Sequence, residues 1–201
     1  MENVKRIPYG VSNFVEVVEQ NQYYVDKTMY LPMLEEQPNS LFLNRPRRFG
    51  KSIFLSMLQA YYDISQKEKF EKRFGNLWIG KHPTLLRGRY QVLFLDFSKA
   101  GAGMSSLEEN FSMYCCRQLD GFMATYEDAY LPRAVARFYA STSAADKLSV
   151  IEVEAKRLGY PLYLIVDEYD NFTNVVLNEQ GNDVYRALTH ASGFYREIFK
   201  K

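Results

Sequence analysis

The chain has 201 residues, with 25 lysines and arginines against 24 aspartates and glutamates, and a formal net charge of +1. This balance argues against a general polyanion-binding surface, because nucleic-acid-binding domains usually carry a basic excess along one face. Hydrophobic residues make up 47% of the sequence, and its 16 tyrosines and 14 phenylalanines predict a core rich in aromatic side chains. Length and composition together predict one globular domain over residues 1–201.

Two adjacent cysteines, Cys115 and Cys116, are the only ones in the chain. Neighbouring cysteines rarely pair with each other, so a disulfide framework is excluded and a reducing compartment is favoured. The N-terminal segment MENVKRIPYG has no apolar core of the kind a signal peptide needs, and no apolar run approaches the ~20 residues that span a bilayer. These features predict a cytoplasmic protein without a membrane partner.

Three nearly continuous apolar runs predict β-strands, and each run ends in a polar turn: residues 40–43, 91–95 and 162–166. Such runs are typical of strands that are covered on both faces of a parallel sheet. Apolar positions at helical spacing predict helices at three places: Ile53 to Tyr61, Leu107 to Leu119, and 183–201. Strands that alternate with helices predict an α/β domain with a mainly parallel sheet, whose ligand lies at the carboxyl ends of the strands.

The segment FLNRPRRFGKSIFLSML, residues 42–58, ends like a phosphate-binding loop. The pattern G-x-x-x-x-G-K-[ST] surrounds phosphates with backbone N–H groups and the positive end of a helix. Its lysine reaches the β and γ phosphates, and its hydroxyl binds magnesium. Gly50, Lys51 and Ser52 match the end of the pattern with the loop length intact, whereas Arg45 stands where the first glycine is expected. The alternative is a chance tripeptide at a helix start, where Gly and Ser are common.

The loop therefore predicts a nucleotide site with a catalytic Lys51 and a magnesium ligand in Ser52. Three guanidinium groups within four residues suit anionic oxygens, although they could also form a solvated basic patch. The predicted nucleotide-binding residues are Arg45, Pro46, Arg47, Arg48, Phe49, Gly50, Lys51 and Ser52.

An acidic pair follows the last predicted strand in the segment YLIVDEYD. Asp167 is placed to hold the water shell of a magnesium ion, and Glu168 is placed to activate the attacking water as the catalytic base. Apolar strands that end in an acid are common in α/β proteins. The acidic pair therefore indicates a nucleotide site only in combination with the predicted phosphate-binding loop. Asp96 ends the second strand near the same edge, where it either binds water or, as we favour, caps its own loop.

A rival motif lies in DFSKAGAGMSSLEENF, where Gly101 and Gly103 resemble part of a dinucleotide-binding fingerprint. Ser106 replaces the third glycine, and no acid-terminated strand follows about 20 residues on. A capping box at this helix start, from Ser105 or Ser106, is the favoured interpretation, and a dinucleotide-binding protein is the remote alternative. Three other residues are predicted to have no ligand: Trp78 in the core, and His82 and His190 as structural or exposed side chains.

Four segments together resemble the AAA-ATPase-like family of bacterial proteins: IPYGVSNFVEVVEQNQYYVDKT, FLNRPRRFGKSIFLSML, VLFLDFS and LYLIVDEYDN. The resemblance runs over nearly the whole chain, and the arginine-rich loop ending in F-G-K-S looks like the usual form in that family. It implies a P-loop NTPase-like, three-layer α/β/α fold that binds ATP with Mg²⁺. Members often carry a C-terminal nuclease-like domain, which nothing in this chain matches.

The resemblance also places two further segments near the nucleotide. YYVDKT, with Asp26, Lys27 and Thr28, is a family signature for which the sequence suggests only a helix start. By analogy with related ATPases, the segment IPYG at residues 7–10 lies against the adenine or packs in the fold.

Two functions remain open: an ATPase whose nucleotide state acts on a partner domain or partner protein, and a nucleotide-binding regulatory module that does not hydrolyse ATP. Glu168 favours the first and Arg45 leaves room for the second. Intrinsic hydrolysis is expected to be slow, because Arg186 and Arg196 are weak candidates for an arginine finger. Nucleic acid is expected as a partner only indirectly, through the C-terminal nuclease-like domain that members of the family often carry.

Strand counting predicts that this chain is truncated at its C-terminus. In the ATPase class that the family resembles, a later strand lies between the loop strand and the Asp-Glu strand and presents a polar sensor to the γ phosphate. No such strand follows the helix predicted at 183–201. Either the two motif strands then pair directly, or an unpaired sheet edge is left between them, which could favour a homo-oligomer.

Overall fold

A computed structural model describes residues 5–37, 40–44, 49–99 and 107–169. The chain divides into two compact units, Met1–Tyr90 and Gln91–Lys201, and each is described by itself. In chain order the helices and strands are α1 (Phe14–Glu19), α2 (Leu31–Glu35), α3 (Lys51–Tyr62), α4 (Phe70–Phe74), α5 (Trp78–Lys81), β1 (Gln91–Asp96), α6 (Leu107–Tyr126), α7 (Pro132–Ala140), α8 (Ala144–Leu158) and β2 (Leu162–Asp167). Short 3₁₀ turns occur at Thr28–Tyr30, Ile64–Lys69, Phe97–Lys99 and Glu127–Ala129.

Aromatic side chains from α1, α3 and α4 form the core of the first unit. The ring of Phe14 stacks on Phe74 with 5.0 Å between centroids, and the ring of Tyr61 meets Phe74 edge-on at 5.5 Å. All three side chains are almost completely buried. Rings of this size bury a large apolar area, and their edge-on and offset contacts add to it. The aromatic core that the composition predicts is therefore confirmed in this unit.

Helix α5 lies unusually close to α4, and a glycine makes that approach feasible. A β-carbon on Gly80 would lie 2.1 Å from the backbone oxygen of Phe74, far inside any tolerable contact. The missing side chain thus lets α5 settle against the end of α4. This fixes the N-terminus of α5, where the amides of Trp78 and Ile79 meet side chains from the 26–28 segment.

In the second unit, β1 and β2 form a parallel two-stranded sheet. The register pairs Gln91 with Leu162 at one end and Asp96 with Asp167 at the other. The predicted strands at 91–95 and 162–166 are confirmed, as are the helices predicted from Ile53 and from Leu107. Helices and a parallel sheet together confirm the α/β class.

Two tyrosines of α6 close the edge of β1 that does not pair with β2. The phenol oxygen of Tyr126 accepts a hydrogen bond from the Val92 amide at 3.1 Å, and that of Tyr114 accepts one from the Asp96 amide at 2.8 Å. Edge strands otherwise present unpaired amides that recruit further strands. These two phenols therefore give hydrogen-bond partners to two amides on the edge of β1 that β2 does not pair.

The predicted strand at 40–43 is wrong. Residues 40–44 have no regular secondary structure, and the side chains of Leu41 and Phe42 are 47% and 76% exposed. The sheet that the described residues form consists of β1 and β2, and residues 40–44 are not part of it. Other sequence predictions lie outside the described residues: the helix at 183–201, the roles of Arg186, His190 and Arg196, the glycines at 101 and 103, and the serines at 105 and 106.

Two predictions about the chain as a whole can be compared with the described part. None of the helices there combines the length and apolar character that crossing a bilayer requires. Cys115 and Cys116 are both free thiols, as their adjacency predicts. Burial raises the pKa of Cys115, so this thiol stays protonated and packs as an apolar side chain.

Candidate functional site

Gly50 ends the predicted phosphate loop in a conformation that suits glycine. Its φ is +75°, in the left-handed region where a β-carbon would cause strain, and it caps the N-terminus of α3. Lys51 and Ser52 follow as the first two residues of that helix, and both are half-buried. The helix start that the motif requires is thus confirmed. Phe49 is 63% exposed, and residues 45–48 lie outside the described part of the chain.

The segment at residues 26–28 is held firmly against α5. The Oδ1 atom of Asp26 accepts hydrogen bonds from the Thr28 amide at 2.8 Å and the Thr28 hydroxyl at 2.7 Å. Its Oδ2 atom accepts from the Trp78 amide at 2.7 Å, and the Oγ1 atom of Thr28 accepts from the Ile79 amide at 3.1 Å. These bonds satisfy amides at the start of a helix, where backbone donors lack partners. We call this arrangement of Asp26 and Thr28 on α5 the α5 clamp.

Lys27 stands between the two clamp residues, and its side chain extends towards Gly50, the last residue of the predicted phosphate loop. A β-carbon on Gly50 would lie 3.5 Å from the Nζ atom of Lys27. The ammonium therefore lies beside the glycine that begins α3. The sequence analysis assigns the segment YYVDKT no chemical role. Aspartate and threonine side chains often accept hydrogen bonds from nearby backbone amides, so the Asp-x-Thr spacing could have indicated the clamp.

The prediction for Trp78 is contradicted, whereas the adenine contact predicted for residues 7–10 is not tested. Trp78 is 36% exposed and its ring stacks on His82 with 4.3 Å between centroids, so the prediction that it lies in the core is wrong. His82 is exposed, as predicted. The side chains of Ile7 and Tyr9 are 83% and 98% exposed. A contact of this segment with adenine stays a prediction.

The acidic pair lies where β2 ends in the second unit. Asp167 is the last residue of the strand and is 4% exposed, and its Oδ1 atom accepts a hydrogen bond from the Glu168 amide at 2.9 Å. Glu168 has a φ of +55°, which is uncommon for a residue with a long side chain. Backbone conformations of this kind cost free energy and concentrate at functional sites. The observation supports a functional interpretation of Glu168 that does not depend on the motif.

Asp96 ends β1 beside Asp167 in the register of the sheet. Its Oδ1 atom accepts hydrogen bonds from the Ser98 amide at 3.1 Å and the Ser98 hydroxyl at 2.7 Å. This is a local turn in which an aspartate closes its own loop. The capping role that we favour for Asp96 is confirmed.

The predicted site residues fall in both units. Gly50, Lys51 and Ser52 belong to the first unit, while Asp167 and Glu168 belong to the second. The structure confirms the local setting of each group, and their joint action on one nucleotide stays a prediction. Within the described residues, no three His, Cys, Asp or Glu side chains form a cluster that could hold a metal ion. A nucleotide-bound Mg²⁺ needs no such cluster, because phosphates and water supply most of its ligands.

Comparison with known proteins gives a match over almost the whole chain. The family model described as "Predicted AAA-ATPase" matches residues 8–201. A protein of Azotobacter chroococcum mcd 1, named "Uncharacterized protein in vnfD 5'region", is 49% identical over 86 residues. That match covers 40% of this chain and 16% of the relative. No solved structure matches.

Proposed function

Because the chain belongs to the predicted AAA-ATPase family, we propose that it binds ATP with Mg²⁺ at the loop that ends in Gly50. The observation that carries the proposal is a left-handed glycine that caps α3 directly before Lys51 and Ser52. Backbone amides at this helix start would hold the β phosphate, and Lys51 would bind the β and γ phosphates. The fold proposed with it is the three-layer α/β/α arrangement of P-loop proteins.

The remaining loop residues are proposed nucleotide contacts because of their charge and position. Arg45, Arg47 and Arg48 bring guanidinium groups that can bind phosphate oxygens in pairs of hydrogen bonds. Pro46 fixes one backbone angle of the loop, and Phe49 leads into Gly50.

The Mg²⁺ ligands proposed here are oxygen atoms of the kind that this ion prefers. Ser52 offers a hydroxyl at the first turn of α3, and Asp167 offers a carboxylate at the end of β2. When bound with the nucleotide, the ion neutralises charge on the β and γ phosphates. Asp167 would act through the water shell of the ion, since Mg²⁺ gives up its waters reluctantly.

We further propose that the protein hydrolyses ATP slowly, with Glu168 as the base that orients and activates water. Its place directly after the buried Asp167, in a costly backbone conformation, supports this role. The nucleotide state would act on a C-terminal nuclease-like domain or on a separate partner protein in the cytoplasm, in a monomer or a homo-oligomer. Because the match covers 16% of the curated relative, the activity of the whole protein belongs to this proposal.

The test of nucleotide binding is calorimetric titration of Mg-ATP into the intact protein and into Lys51→Ala. Loss of a charge-assisted contact to phosphate should weaken binding by roughly tenfold or more. Lys69→Ala is the matched control, because Lys69 is an exposed lysine of the same unit. Equal affinities of wild type and Lys51→Ala would remove the site assignment.

Phosphate release by Glu168→Gln tests the hydrolytic part of the proposal. Removal of a general base should lower turnover by about 10²- to 10⁴-fold while ATP binding persists. Unchanged release in this variant would place the base elsewhere. ATP binding by wild type with no release at all would favour the regulatory module that does not hydrolyse ATP.

A further inference from the structure

Charge is unevenly distributed along this chain, although its net charge is +1. Residues 1–90 hold 14 of the 25 lysines and arginines but nine of the 24 acidic residues, which gives the first unit a net charge of +5 and the second unit −4. Residues 64–90 alone hold seven lysines and arginines against two glutamates. Charge asymmetry between the halves of a chain is one sign of a polyanion-binding surface. The near-neutral total therefore does not exclude such a surface on the first unit.

The fold brings cations of this segment together. A β-carbon on Gly88 would lie 3.1 Å from Cβ and Cγ of Lys67, so the stem of this lysine packs on the glycine. The guanidinium of Arg87 lies over the ring of Phe70, 4.2 Å from its centroid. Residues three apart lie on one face of a 3₁₀ turn, so Lys67 and Phe70 share a face and Lys67 lies beside Arg87. We call Lys67, Arg87 and Arg89 the basic cluster.

The backbone of the two arginines is anchored to the end of α3. The Gly88 amide donates to the Tyr61 carbonyl at 3.0 Å, and the Tyr90 amide donates to the Tyr62 carbonyl at 3.0 Å. These bonds lie on either side of Arg89, whose side chain is exposed. Because the backbone is already fixed, a ligand at this surface would not have to order it.

The basic cluster differs from the cations of α4 in its partners. Lys72 and Arg73 both pair with Glu19. The three cations of the cluster form no ion pair with a carboxylate in the part of the chain that the structure describes. Like charges held side by side repel each other, and a ligand with several negative charges relieves that repulsion.

An exposed aromatic pair in the same segment favours one class of polyanion. Trp78 is 36% exposed and its ring stacks on that of the exposed His82. Proteins bind single-stranded nucleic acid by combining cations that contact phosphates with aromatic rings on which bases stack. An acidic polypeptide has no bases, so the combination of cations and rings favours nucleic acid.

We propose that the basic cluster binds the phosphate backbone of a single-stranded nucleic acid. The ammonium of Lys67 and the guanidinium of Arg89 donate to phosphate oxygens, and Arg87 adds a third positive charge between them and the core. This inference does not depend on the proposed ATP site.

The test is fluorescence anisotropy of the intact protein with a labelled oligodeoxythymidine of about 16 nucleotides, the upper site size of one single-strand-binding domain. Three phosphate contacts predict that log K falls with log salt with a slope of about −2. Lys67→Met and Arg89→Met should each reduce that slope by about 0.7, which corresponds to roughly eightfold weaker binding at ~50 mM salt. Lys69→Met is the matched control, because it removes the same charge from a different side of the same turn.

The other outcomes are equally specific. An oligouridine of the same length compares RNA with DNA: binding of either supports the proposal, and the tighter one identifies the source. Equal weakening by Lys69→Met, or no binding by wild type at ~50 mM salt, would overturn it. Tighter binding of poly-glutamate or of phosphatidylserine vesicles would assign the surface to an acidic protein or a membrane instead.

A further variant separates the basic cluster from the predicted phosphate loop. Lys51→Ala should bind the oligomer as wild type does. Weaker binding by Lys51→Ala, together with wild-type binding by both cluster variants, would place the oligomer at the loop and refute the proposal.

A measurement on wild type covers the case in which a cluster variant does not fold by circular dichroism. Acetic anhydride modifies exposed lysine amines, and peptide mass spectrometry gives the rate at each lysine. The bound oligomer should slow modification of Lys67 and leave Lys69 unchanged. An unchanged rate at Lys67 in the presence of bound oligomer would overturn the inference.

Discussion

Strands β1 and β2 both end in an aspartate, and their register places Asp96 beside Asp167. The two strand ends nevertheless differ in what they do with the carboxylate. Asp96 uses its Oδ1 atom to bind the amide and hydroxyl of Ser98, and its own amide is held by the phenol of Tyr114. Asp167 is nearly completely buried and is followed by Glu168 in a left-handed conformation.

This difference fits the proposal that strand ends that look alike in sequence have different functions here. An aspartate two residues before a serine has a local partner for its charge, so the fold itself explains the residue. The Asp-Glu pair at the end of β2 combines a buried carboxylate, which accepts the Glu168 amide, with a backbone conformation of a kind that concentrates at functional sites. The contrast can be tested by equal changes at the two strand ends.

In the comparison of the two strand ends, the largest expected effect is on turnover, in Asp167→Asn compared with Asp96→Asn. If Asp167 organises the water shell of Mg²⁺, its loss should lower ATP hydrolysis by about 10- to 100-fold, as for other outer ligands of metal ions. The Asp96→Asn variant should keep the hydrogen bond from the Ser98 amide, since an asparagine side chain forms the same turn. Phosphate release by the two purified variants is the measurement. Equal losses would show that both strand ends serve the reaction and would break the contrast.

A second prediction concerns stability at the β1 end. Tyr114→Phe removes the phenol that accepts the Asp96 amide, and an unpaired amide in this setting should lower the free energy of unfolding by about 1–3 kcal/mol. Burial raises the pKa of Tyr114 to about 12, so the lost group is the neutral phenol at neutral pH. Urea unfolding followed by circular dichroism measures the change.

Tyr139→Phe is the control for that experiment, because the Tyr139 side chain is 51% exposed and its phenol bonds Glu127 at the surface. It should change stability by no more than about 0.5 kcal/mol. If Tyr114→Phe is as mild as this control, the phenol does not close the edge of β1 in solution.

Much of the fold could be predicted from apolar patterning, and its one clear failure has a physical cause. The runs at 91–95 and 162–166 form strands because their backbones pair with each other through hydrogen bonds. The run at 40–43 is also apolar but has no regular secondary structure. Periodicity shows which side chains favour burial, whereas a strand also needs a neighbouring backbone, which the local sequence does not specify.

The candidate site also has one part that the sequence predicts and another part that it does not. The helix start at Gly50, Lys51 and Ser52 could be predicted, because its conformation depends on adjacent residues. The position of Lys27 could not, since its approach to Gly50 depends on α5 meeting the 26–28 segment about 50 residues away in sequence. Local rules describe Asp26 and Thr28 as caps, but only the tertiary fold brings the intervening lysine to the loop.

The smallest expected effect separates the backbone of Glu168 from its side chain. Its left-handed conformation costs roughly 1–2 kcal/mol for a residue with a β-carbon, while glycine loses roughly 0.5–1 kcal/mol through its freer unfolded chain. Glu168→Gly should therefore stabilise the protein by about 0.5–1 kcal/mol, whereas Glu168→Ala keeps the strained backbone and should not. Both variants should lose ATP hydrolysis, because both lack the carboxylate. Urea unfolding of Glu168→Gly and Glu168→Ala measures this difference in stability. An alanine variant as stable as the glycine variant would show that the backbone at residue 168 is relaxed and that no strain is stored at the end of β2.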